Sequence, residues 1–160
     1  MNIFLDEHTS VLMALNTYEV EYLLIGGYAV VIYGYDRTTG DMDIWLNPTN
    51  DNKHKIIQAF ESLGYDKESL SQLGGFDFTE AILFMLGTPP EKMEFMTRLS
   101  LIQFDESYAN REVCELEDGF YIQVISLHDL ILSKINTGRT KDQADVEELQ
   151  KIQNFINKDS

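Results

Sequence analysis

Two aspartates, Asp41 and Asp43, alternate with the apolar residues Met42, Ile44 and Leu46. Side chains alternate across a strand, so Asp41, Asp43 and Trp45 share one face and Met42, Ile44 and Leu46 the other. The apolar set reads as a buried face. The other set places two carboxylates side by side at the start of a strand, where like charges repel. A divalent cation resolves that repulsion, and Mg²⁺ commonly takes one or two carboxylates together with phosphate oxygens. Upstream, Gly26-Gly27 closes the apolar run Tyr22-Leu23-Leu24-Ile25 and leads into a short helical segment. Backbone N–H groups at a helix start favour a phosphate. Metal-assisted phosphate chemistry suits these residues. Each half also has a plainer reading: Asp-x-Asp as a solvated strand edge, and Gly-Gly as a turn.

A second group is cationic. Lys134, Arg139 and Lys141 are three of only 12 basic residues, and they fall close together. Lys134 is expected late in one helix, with Arg139 and Lys141 flanking the start of the next. All three then converge on the junction, where backbone N–H groups add to the positive field. At a surface cleft they are expected to be replaceable with little effect on folding. The plainer reading is ordinary surface charge, with Asp142 matched to the helix dipole.

The order Gly-Gly, short helix, Asp-x-Asp resembles the nucleotidyltransferase superfamily of the DNA polymerase β type. The run Arg37-Thr38-Thr39-Gly40-Asp41-Met42-Asp43 more narrowly resembles the small bacterial abortive-infection and minimal nucleotidyltransferases. The stretch from Ser126 through Lys134 to Gly138-Arg139-Thr140-Lys141-Asp142 is similar to the tail of the same group. The resemblance covers about residues 22–149, and is loose over 50–81. It implies a third acid on a neighbouring strand, and Glu94, central in the strand expected over 92–96, is assigned that role. Many relatives have Asp there, and the longer Glu shifts the carboxylate. The resemblance further implies Mg²⁺ (or Mn²⁺) on Asp41, Asp43 and Glu94. Triphosphate would be seated by Gly26 and Gly27 with Lys134, Arg139 and Lys141. Arg37 is open between contacting phosphate or acceptor and forming a salt bridge.

The elements that must position these residues follow from periodicity and turn chemistry. Helices are expected over 2–16, 28–33 and 51–63 (capped by Gly64), with a short helix or loop over 104–111 and one helical turn over 67–73. Ser126 opens a helix ended by Gly138, with Leu127, Leu130, Ile131 and Ile135 buried. Thr140 and Gln143 fit a capping box opening the last helix, with Val146, Leu149, Ile152 and Ile156 on its apolar side. Strands are expected over 22–25, 41–46, 80–86, 92–96, 113–117 and 121–125. The third and fourth form one hairpin, and the last two another turning at Asp118-Gly119. The expected fold is α/β (α+β), a mixed sheet flanked by helices, in one domain spanning 1–160.

The chain carries 27 acidic and 12 basic side chains, a net charge of −15. Such a surface repels free nucleic acid and suits either solubility or a basic protein partner. Cys114 is the only cysteine, so no disulfide framework or cysteine-based zinc site is expected. No apolar run is long enough to span a bilayer, the first residues lack a basic region, and a cytoplasmic protein is expected. His8, His54 and His128 show no ligand spacing. The functional expectation is a Mg²⁺-dependent nucleotidyltransferase acting on a nucleoside triphosphate and a hydroxyl acceptor, in the setting of a toxin–antitoxin pair. The alternative is a catalytically attenuated nucleotide- or protein-binding module of the same fold.

Overall fold

A computed structural model describes residues 3–117, 119–135 and 137–158. Two expectations, Asn2 as a helix start and Asp118 in the last hairpin turn, lie outside the described residues. In chain order the elements are α1 (Asp6–Thr17), β1 (Tyr22–Ile25), α2 (Gly26–Ile32), β2 (Met42–Leu46), α3 (Asn50–Ser62) and α4 (Lys67–Gly74). They continue with β3 (Leu83–Leu86), β4 (Met93–Met96), α5 (Phe104–Ala109), β5 (Glu112–Glu117), β6 (Phe120–Val124), α6 (Leu127–Lys134) and α7 (Thr140–Lys158).

The six strands form one mixed sheet in the order β3-β4-β2-β1-β6-β5. β2 lies near its centre, antiparallel to β1 and parallel to β4. Both expected hairpins form as antiparallel pairs. β1 and β2 hold the core: Tyr22, Leu23, Leu24, Met42, Ile44 and Leu46 are wholly buried. Each such side chain contributes about 1.5–3 kcal/mol on burial. On the face of Ile44, Phe60 of α3 meets the stacked pair Phe84 and Phe95. Trp45, on the acids' face, is also buried. It stands edge-on to Phe104, and its indole N–H donates to the Thr97 carbonyl at 3.3 Å. It therefore serves as a packed aromatic.

Several boundaries differ from expectation for local reasons. α2 begins at Gly26 itself, directly from the strand. The stretch at 67 makes a two-turn helix because the Asp66 carboxylate caps it, accepting from the Ser69 N–H at 2.7 Å. β3 starts at Leu83 because the Thr97 hydroxyl ties down the preceding segment, accepting from the Ile82 N–H and donating to the Glu80 carbonyl. Ser126 caps α6 as expected. The capping box at Thr140 does not form: the Arg139 carbonyl receives the first helical N–H groups, from Asp142 and Gln143. Ile156 is exposed, since the last turns of α7 extend beyond the surface that buries Leu149.

Candidate active site

The register of the central strands sets the acids. Ile25 of β1 pairs with Asp43, and Asp43 pairs with Glu94 of β4. Residues paired in register share a face, so the two carboxylates stand side by side. Gly26 follows Ile25 directly and brings bare backbone against the Asp43 side chain. Its φ is +67°, and a Cβ there would overlap Asp43 Oδ2 and sit 3.1 Å from Asp43 Cγ. A Cβ on Gly27 would overlap the Thr39 hydroxyl and lie 3.1 Å from the Arg37 guanidinium. The glycine pair is thus required by the chain's own side chains, which fill the space a larger residue would need.

Asp41, Asp43 and Glu94 line one cavity of about 390 Å³, together with Gly26, Gly27, Arg37, Lys134, Arg139 and Lys141. Every residue singled out in the sequence is therefore brought together. Thr39, Gly40 and Asp142 complete the lining.

The electrostatics are unusual. Asp43 Oδ1 is buried with no hydrogen-bond partner among the described residues. Burial first, then the neighbouring Glu94 and Asp41 carboxylates, push the Asp43 carboxyl up to about 7, against the opposing pull of Lys134. Lys92, absent from the sequence reading of the site, supplies a cation: its Nζ is 3.3 Å from Asp41 Oδ2 and 3.7 Å from Glu94 Oε1. Its place two residues before Glu94, at the entry to β4, was the available signal.

The cationic wall is held by buried acids. Asp145, fully buried, accepts two hydrogen bonds from Arg37, at 2.8 and 2.9 Å, and pairs with Lys134 Nζ at 2.9 Å. Asp142 receives Lys134 at 3.2 Å, Arg139 Nε at 2.6 Å and the Thr137 hydroxyl at 2.7 Å. Burial opposes the Asp142 charge, but these bonds outweigh it and hold its carboxyl below the usual range. Asp142 does far more than complement a dipole. Arg37 takes the salt-bridge option. Lys134 lines the cavity but is buried and paired with two acids, where a surface cleft was expected. Lys141 is exposed and forms no ion pair among the described residues.

Among the described residues, no three His, Cys, Asp or Glu side chains already converge as a metal cluster. The donor set nonetheless fits a hard divalent ion. Asp41 and Asp43 offer carboxylate oxygens, one of them unsatisfied, and Mg²⁺ ordinarily takes one or two carboxylates and leaves the remaining positions to phosphate and water.

No curated protein matches the sequence. The fold is similar to that of the lincosamide antibiotic adenylyltransferase LnuA in its lincomycin-bound crystal structure. Identity is 17%, with 94% of this chain and 99% of that chain covered and a TM-score of 0.54. It is also similar to a protein from Thermotoga maritima described as a candidate nucleotidyltransferase, at 16% identity, with 92% and 89% covered and a TM-score of 0.54. At these identities the likeness establishes the fold. Among the described residues, no helix is long and apolar enough to cross a membrane. A family model matches residues 3–158, nearly the whole chain, and on that match the chain belongs to the nucleotidyltransferases of unknown function designated DUF6036.

Proposed function

We propose that the chain transfers a nucleoside monophosphate from a nucleoside triphosphate to a hydroxyl acceptor, in the manner of the DNA polymerase β type. One observation carries this reading: a single cavity holds Asp41, Asp43 and Glu94 together with Lys134, Arg139 and Lys141, beside Gly26-Gly27. Lys141, exposed and without an ion-pair partner among the described residues, is the cation best placed to meet phosphate oxygens. Lys134 and Arg139 contribute field from fixed positions. Mg²⁺ or Mn²⁺, held by Asp41 and Asp43 with Glu94 beside them, would supply Lewis-acid charge to the triphosphate. In the transfer, the acceptor oxygen bonds to the α-phosphorus as the α–β bridging bond breaks. Pyrophosphate leaves, and the hydroxyl proton passes to Asp43 or Glu94.

The acceptor we propose is a small molecule or a partner polypeptide. The net charge of −15 works against free nucleic acid. LnuA, of similar fold, is an antibiotic adenylyltransferase. A toxin–antitoxin pairing is the proposed setting, because the acidic surface suits a basic protein partner. The binding-module alternative has one observation on its side: Arg37, Lys134 and Arg139 are already paired with Asp142 and Asp145.

Calorimetry with ATP, GTP, CTP and UTP, with Mg²⁺ and in EDTA, tests the reading. Metal-dependent binding supports it, and equal affinity in EDTA overturns the metal-bridged model. Pyrophosphate release in the presence of small hydroxyl acceptors or a co-purified partner separates the enzyme from the binding module.

A further inference from the structure

β3 ends the sheet, and its outer edge is unpaired among the described strands. The Thr97 N–H donates to the Ile82 carbonyl at 3.1 Å, which fixes the phase of the β3–β4 ladder. Alternation then turns the backbone N–H and C=O of Leu83 and Met85 outward. Natural edges are usually blunted by charge, proline or a bulge. This one reads Ile82-Leu83-Phe84-Met85-Leu86, with Leu83 59% and Met85 49% exposed. Beside it lies a groove of about 520 Å³ between β3 and α4, lined by Phe60, Tyr65, Leu70, Leu73, Phe76 and Phe84. Backbone donors and acceptors along a strand, next to pockets for alternate side chains, form a site for strand addition.

We propose that the β3 edge and the β3–α4 groove bind an extended segment of a partner polypeptide with an apolar centre and Lys or Arg on its flanks. Charge selects this occupant. Between residues 65 and 91 the acids are Asp66, Glu68, Asp77, Glu80 and Glu91; the bases in or against that stretch are Lys67, the buried Lys53 on the Gly74 and Phe76 carbonyls, and Arg98 on the Thr79 carbonyl, so acids remain in excess. A second copy pairing edge to edge would bring these acids onto one another, whereas basic flanks meet them favourably. Leu83 and Met85 supply one face of the site. Phe84, with the groove behind it, supplies the other.

The probe is a short synthetic peptide, valine- and threonine-rich at its centre with paired lysines at each end, beside a twin carrying glutamates in their place. The expected result is slowed amide exchange at Leu83 and Met85 with the lysine peptide, and binding weaker by about tenfold or more with the glutamate twin. Leu83→Lys with Met85→Lys, both at exposed positions, is expected to keep the circular dichroism spectrum and lose peptide binding. Three outcomes overturn the proposal: no protection at these two amides, equal binding by the twin, or sedimentation showing that the protein alone dimerises through this edge.

Discussion

The Lys92 ammonium lies 3.3 Å from the Asp41 carboxylate and 3.7 Å from that of Glu94, spanning two of the carboxylates that line the cavity. A divalent cation on Asp41 would compete with it for the same oxygens. Lys92→Met is therefore expected to act in opposite directions on two measurements. In EDTA the folded state should lose about 0.5–1 kcal/mol, since these side chains are partly exposed. Affinity for Mg²⁺ alone should rise several-fold, because the tethered competitor is gone. Urea titration and calorimetry measure the two effects, and weaker Mg²⁺ binding would show that Lys92 assists the ion.

Asp43 contributes a pH dependence that buried His8, whose pKa burial lowers, opposes in sign. Its carboxyl titrates near 7 in the folded protein against 3.8 for the ordinary group, so the folded state binds the extra proton between those values. Stability should therefore fall as pH rises from about 4 to about 7, by at most about 4 kcal/mol from this group, and level off above. Asp43→Asn should flatten that slope, raise stability at neutral pH, and abolish metal-dependent triphosphate binding. Asp41→Asn should bring no such gain, because it breaks the pair with Lys92. Denaturation curves in EDTA across this pH range check both.

The cationic wall should divide into fixed and free members. Lys134→Ala leaves Asp142 and Asp145 buried, with Arg139, Thr137 and Arg37 as their remaining partners, and should cost about 3 kcal/mol of stability. Lys141→Ala should leave the unfolding curve unchanged while weakening triphosphate binding by up to about 3 kcal/mol. Equal loss of stability in both variants would contradict the burial difference between them.

Gly26→Ala should lower stability by at least about 1–2 kcal/mol, from the positive φ alone. The added methyl group also displaces the Asp43 carboxylate, so metal-dependent binding should fall with it. A variant that melts normally and binds normally would show that the chain relaxes around this position.

The legible parts of the molecule were those set by near neighbours. Residues 22–25 were readable as a strand from a short apolar run stopped by glycine. The facing of Met42, Ile44 and Leu46 followed from alternation alone, as did the Ser126 cap from its position ahead of an apolar stripe. The approach of Gly26 to Asp43 was not readable, because it depends on the β1–β2 register. Nor was the bond from Arg37 to Asp145, which lie 108 positions apart. The sequence showed that Lys134 and Arg139 cluster. It could not show that two acids of α7 would be buried against them, because i, i+3 spacing on an exposed helix looks the same. Lys92 was visible as a neighbour of Glu94, but its reach to Asp41 needed the parallel pairing of β2 with β4.

That 108-position bond also orders events during synthesis. A ribosome makes the glycine pair and the aspartates early, and the residues of α7 much later. Until the first turns of α7 have emerged, Arg37 lacks the buried Asp145 carboxylate that fixes it, and Lys134 lacks both Asp142 and Asp145. Contacts this distant form late and slowly. A nascent chain therefore carries its acids without an ordered cationic wall, and the cavity lining is complete only with Lys141 and Asp142 of α7 in place. Any activity that resides in this cavity is withheld from the growing polypeptide by topology alone.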